Sequence, residues 1–140
     1  MTVTPAMMPN IRYKDALAAI DFLCTGFGFE KHAVFTDEDD PSIVHHAQLL
    51  YAGQMLMVAT AMGGEWTDVA SMKTVAEAGG NTQTLYLVVP DVAAHCERAR
   101  AAGATIIMEP KAQDYGGSTY GALDPEGNAW SFGDYDPFAD

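Results

Sequence analysis

Asp15–Gly28, DALAAIDFLCTGFG, and Asp91–Gly103, DVAAHCERARAAG, read as one element written twice, and that repetition decides the fold. Each begins with an aspartate suited to cap a helix and ends on a glycine suited to stop one. Between them, Ala16, Ile20, Leu23 and Phe27 in the first copy, and Val92, Cys96 and Ala99 in the second, recur at helical spacing. A short alternating run precedes each helix, Asn10–Tyr13 in one case and Leu85, Leu87 and Val89 in the other. Three further strands follow each helix. They are Lys31–Thr36, Ile43–Tyr51 and Gln54–Ala59 in the first copy, then Thr105–Glu109, a run around Ser118–Leu123 and Asn128–Gly133 in the second. Gly53 and Gly127 turn the last two strands at matching distances from the caps.

The order strand, helix, three strands therefore occurs twice, which predicts an α+β fold of two βαβββ modules with a cleft between mixed sheets. Module one is expected over about 6–60 and module two over about 83–136. Residues 61–82, with glycines, Trp66 and a helical stretch near Val69–Ala78, form the linker. The chain of 140 residues, 1–140, suits a single domain. Neither sheet can bury its apolar face alone, so the modules are expected to pack together with helices outside. A cleft of this kind is a natural ligand site.

Composition narrows the partners. Hydrophobic residues make up 49% and charged residues 19% of the chain, the balance of a folding globular protein. Seven Lys+Arg against 19 Asp+Glu give a formal charge of −12, which repels phosphate backbones and anionic bilayers. Neither nucleic acid nor membrane is an expected partner. The start, MTVTPAMMPN, has no basic region leading into an apolar run, so a cytoplasmic location is expected. Cys24 and Cys96 fall in the two helices with no second thiol or imidazole at zinc spacing, and read as small buried or half-buried thiols in a reducing compartment. No HExxH, P-loop or G-x-S-x-G is present, and TGFGFE at a helix end cradles nothing.

The stretch Asp114–Phe138, DYGGSTYGALDPEGNAWSFGDYDPF, resembles the vicinal oxygen chelate superfamily of glyoxalases, bleomycin-resistance proteins and extradiol dioxygenases. There a DP-x-G-x-x-W turn links the last two strands of the second module. Leu87–Ala104, LVVPDVAAHCERARAAGA, and Ile20–Glu30, IDFLCTGFGFE, resemble the family's strand-helix and first-helix segments. The resemblance implies a divalent ion in the cleft, held by a ligand from each of four strands. Carried onto this chain, those positions fall on Met8, Gln48, Thr84 (or Leu85 with a one-residue slip) and Ser131. None is a carboxylate or an imidazole, so no metal and no other cofactor is expected. The resemblance also implies a homodimer.

Alternation along the third strand places His46 on the face of Gln48, and along the first strand it places Arg12 and Asn10 with Met8. His46 is then the best-placed general base, although a histidine bonding a neighbouring strand is the plainer reading. Arg12 either holds an anionic group or reaches solvent. Tyr86 and Tyr120 are candidate cleft walls, Tyr120 also a candidate proton carrier, while Trp130 and Phe132 belong to the core. Three functions follow. The first is a metal-free protein that binds and sequesters a small, partly apolar molecule, neutral or, given the acidic chain, cationic, as bleomycin-resistance members do. The second is a glyoxalase-like or dioxygenase-like enzyme in the same cleft, either metal-dependent through an unusual ligand set or metal-free with His46 or Tyr120 handling protons. The third is a module with a filled cleft that works through protein contacts.

Overall fold

The computed structural model describes residues 1–139; Asp140, the last residue of the acidic end, lies outside them. The first module consists of β1 (Asn10–Tyr13), α1 (Ala16–Phe27), β2 (Glu30–Thr36), β3 (Val44–Tyr51) and β4 (Gln54–Thr60). The connection carries α2 (Glu65–Val69) and α3 (Val75–Ala78). The second module consists of β5 (Leu85–Val88), α4 (Val92–Ala101), β6 (Thr105–Ala112), β7 (Ser118–Leu123) and β8 (Ala129–Gly133). Two four-stranded sheets result, ordered β1-β4-β3-β2 and β5-β8-β7-β6. In each, the first strand lies parallel to the last and the other neighbours are antiparallel.

The capping aspartates act as their sequence predicts: Ala18 N donates to Asp15 Oδ1 at 3.1 Å and Ala94 N to Asp91 Oδ1 at 3.0 Å. Gly28 closes α1 at φ 88°, a left-handed conformation open to glycine. Two elements differ from expectation by more than a residue. β6 runs on past Glu109 through Pro110, which an edge strand tolerates because its outer side needs no N–H donor. The helical stretch near Val69–Ala78 is broken in two around Ser71, which sits at φ 53°, and restarts at Thr74 with a reciprocal Thr74–Glu77 cap.

Both helices share a core with one face of each sheet. α1 and α4 pack on each other, with Gly26 close enough to Ala102 that an added Cβ would lie 3.0 Å from the alanine methyl. Arg98 of α4 donates to the carbonyls of Thr25 and Cys24 at the end of α1, at 2.7 and 3.1 Å. Phe27 of α1 meets the rings of Phe132 and Trp130 on sheet two at 4.7 and 5.2 Å. One core therefore joins both helices to the inner faces of both sheets, from Tyr13, Leu49 and Val58 to Tyr120, Trp130 and Phe132. The physical reason is composition: α1 is apolar on more than one side, burying Ala16, Ala19, Ile20, Phe22, Leu23 and Phe27, so it needs a cover beyond its own sheet.

A second contact locks the modules. Asp124, 4% exposed in the DPEGN turn, accepts from Tyr13 Oη at 2.6 Å and Trp130 Nε1 at 3.2 Å. It also accepts from the backbone of Glu126 and Asn128 at 3.0 Å each. Glu126 accepts from Lys14 N and Asp15 N at 2.7 and 2.9 Å, fastening the turn to the start of α1. Among the described residues, no helix is long and apolar enough to cross a membrane.

Candidate functional site

With the inner faces committed to the core, the opposite face of each sheet is open. On sheet one the register aligns Asn10, Met57, Gln48 and Ala33 across the four strands. Next to that row, Gln48 Nε2 lies 3.1 Å from His46 Nε2, and the Phe35 ring stacks on His46 with centroids 6.2 Å apart. Gln48 and His46 are thus brought together as their spacing predicts, and each is the other's partner. On sheet two the corresponding row is Tyr86, Ser131, Gly121 and Met108. Its floor is small. An added Cβ on Gly133 would lie 2.6 Å from Tyr86 Oη, because the tyrosine crosses that glycine to donate to Tyr135 O at 2.7 Å.

Two cavities open where β1 and β5 approach, sharing Pro9, Leu85 and Trp130 as walls. One, of about 200 Å³, is apolar and is walled further by Met7, Phe29, Tyr51, Met55 and Tyr86. The other, of about 240 Å³, is the more polar of the two, with polar and apolar walls in about equal share, and Arg12, Asn81, Thr84 and Asn128 are among them.

The predicted cleft residues therefore separate. Arg12 and Thr84 line the polar cavity, Tyr86 lines the apolar one, and His46 with Gln48 and Ser131 lie on the open faces of different sheets. Met8 precedes β1 and is exposed. Tyr120 is corrected: it is 1% exposed and turns to the inner face, where its hydroxyl lies 2.6 Å from His95 Nδ1. The alternation of β7 explains this, since Tyr120 pairs with core residue Phe132 while Gly121 pairs with Ser131. His95 Nε2 lies 2.8 Å from Phe27 O and so carries the proton, leaving Nδ1 to accept from Tyr120. Burial depresses the His95 pKa and raises that of Tyr120, so both stay neutral, sealed from any substrate. Sequence reading missed this pair and the Asp124 turn lock. His95 on the buried side of α4, one position before Cys96, was the available signal.

The donor set does not fit a divalent ion. Thr84 Oγ1 already donates to Ala129 O at 3.0 Å, Gln48 is engaged with His46, and Met8 and Ser131 add no charge. Among the described residues, no three His, Cys, Asp or Glu side chains are grouped to hold a metal.

The family model of the glyoxalase/bleomycin resistance protein/dioxygenase superfamily matches residues 5–132. The chain belongs to that superfamily. Uncharacterised proteins of Mycobacterium bovis and Mycobacterium tuberculosis are each 35% identical over 138 residues, spanning 95% of this chain and 85% and 76% of theirs. TioX from Micromonospora sp. ML1 superposes with a TM-score of 0.67 at 28% identity, covering 97% of this chain and all 100% of its own. A glyoxalase I variant of Zea mays superposes at 0.68 and 17% identity over 91% of this chain and 44% of the plant chain, a likeness of fold alone.

Proposed function

We propose that the protein binds a small, largely apolar molecule without a metal ion, in clefts that a second copy of the chain completes. The observation that carries this reading is the chemistry of the open faces and the apolar cavity. Their walls are methionines, aromatics and small residues, and the polar groups at the family's ligand positions are neutral and, for Gln48 and Thr84, already bonded within the chain. Methionines beside aromatic rings make an adaptable wall for an apolar guest. Among the described residues, no His, Cys, Asp, Glu or Lys walls the apolar cavity; the hydroxyl of Tyr86 there is occupied by Tyr135 O, and burial raises its pKa.

Both open faces leave large apolar side chains uncovered, Phe35 on one sheet and Tyr86, Val88, Ile107 and Met108 on the other. Exposed apolar side chains on both faces favour association, and in this reading a second copy brings face one of one chain to face two of its partner. His46, Gln48, Tyr86 and Ser131 then line one cleft from two chains. Cys24 and Cys96 are both free, which supports the cytoplasm as its location.

The test uses Nile red, a neutral dye whose emission shifts to the blue in apolar surroundings. The protein at micromolar concentration is expected to shift its emission, with EDTA making no difference, and Tyr86→Ala with Met55→Ala to weaken binding about tenfold. Light scattering on the same sample is expected to give the mass of a dimer. A dye response that needs added metal, or no response, would overturn the reading.

A further inference from the structure

The polar cavity beside the seam carries an observation that apolar binding does not use. Arg12 is half-buried, its Nε is shielded from solvent with no hydrogen-bond partner, and its side chain joins no ion pair among the described residues. This occurs in a chain where acids outnumber bases 19 to 7, so carboxylates are abundant and the guanidinium nevertheless has none. A buried unpaired guanidinium N–H is costly until a partner satisfies it.

The geometry points to a site at this seam for a small organic acid, its carboxylate held by Arg12 and its apolar body lying against Trp130. The cavity of about 240 Å³ is walled by Arg12 and Lys73, by the neutral polar side chains of Asn10, Thr74 and Thr84, and by Ile11, Val75, Leu85 and Trp130. No Asp or Glu is among its walls. Glu77 and Asp68 line a neighbouring space that Arg12 also reaches, and Glu77 is engaged there by Thr74 N and Oγ1 at 3.0 and 2.9 Å. A carboxylate is the ligand group that matches a guanidinium edge with two parallel hydrogen bonds, and one of them satisfies Nε. The volume corresponds to roughly eight waters of liquid, room for an acid about the size of benzoate. The charge of −12 opposes anions at long range, but at physiological ionic strength that field is screened beyond about 8 Å, and the local cations decide. The site goes beyond the apolar binding proposed above and does not depend on a second copy.

The probes are benzoate, its neutral isostere benzamide, and inorganic phosphate, added to ¹⁵N-labelled full-length protein while the Arg12 Nε–H and Trp130 indole signals are followed. The Arg12 signal is assigned by its disappearance in Arg12→Lys, whose amide spectrum reports its folding. Benzoate is expected to move the Arg12 Nε–H downfield and shift the Trp130 signal, with benzamide moving neither. Arg12→Lys, which keeps the charge and loses the planar fork, is expected to weaken benzoate about tenfold at the Trp130 signal. Should that variant not fold, the benzoate–benzamide contrast on the unaltered protein decides alone. An Arg12 signal unmoved by benzoate, or moved equally by benzamide, overturns the site. Phosphate moving Arg12 while benzoate leaves Trp130 unmoved overturns the organic-acid assignment. Nile red binding unchanged in Arg12→Lys keeps this outcome separate from the apolar site.

Discussion

The β3–β4 turn and the β7–β8 turn occupy the same place in the two modules, yet they do different things. In the first, Ala52 and Gly53 are exposed, and Gly53 has nothing within 4 Å of where a Cβ would stand. In the second, Asp124 is buried and gathers donors from Tyr13, Trp130 and the turn backbone, while Glu126 holds the start of α1. The same contrast recurs elsewhere. His95, four residues beyond its cap, is buried and bonded in module two; Ala19 fills the matching place in module one. On the open faces the order reverses: sheet one carries the polar pair Gln48 and His46, and sheet two the small residues Gly121, Ser131 and Gly133. The second module thus spends its polar groups on joining the modules, and the first presents its own to the outside.

Changing the two turns alike sharpens this contrast most. Asp124→Ala strands several buried donors, Tyr13 Oη and Trp130 Nε1 among them, and is expected to cost about 3–5 kcal/mol in denaturant unfolding. Gly53→Ala, at φ 79° in open space, is expected to cost only about 1 kcal/mol of backbone strain. Equal losses would break the asymmetry.

The buried histidine gives the next largest effect. Desolvation, then the nearby Arg98 charge, lowers the His95 pKa from its ordinary 6.5, although its bond to Phe27 O opposes this. The unfolded chain therefore takes up a proton first as pH falls below 6.5, and the stability supplied by the neutral histidine is lost below that value. Unfolding free energy is expected to fall by up to about 1.4 kcal/mol per pH unit in that window. His95→Gln is expected to flatten that slope, and an unchanged slope would assign it to other groups. The smallest effect is on the open face: Gln48→Ala is expected to leave stability within about 0.5 kcal/mol while weakening Nile red binding a few-fold.

Both modules, their helix caps and the core places of Trp130 and Phe132 were legible because local periodicity and capping determine them. The packing of α1 on α4 was not, because it depends on contacts such as Gly26 with Ala102 and Phe27 with Trp130, far apart in sequence. Tyr120 was misplaced for a related reason. In β7, STYGAL, residues on both faces are small or apolar, and only pairing with β8 shows that Gly121 shares the face of Ser131. The Arg12 cavity depends on how the connection residues Met72–Thr84 fold back over β1, which composition does not reveal.

Metal-independent binding is tested most directly on protein purified without chelator or affinity tag. Its metal content is measured, and Nile red binding is then compared before and after adding Ni, Fe, Mn and Zn separately. The account predicts substoichiometric metal and the same dye affinity throughout; a stoichiometric ion that survives dialysis, with binding or turnover that depends on it, would contradict the assignment of Met8, Gln48, Thr84 and Ser131.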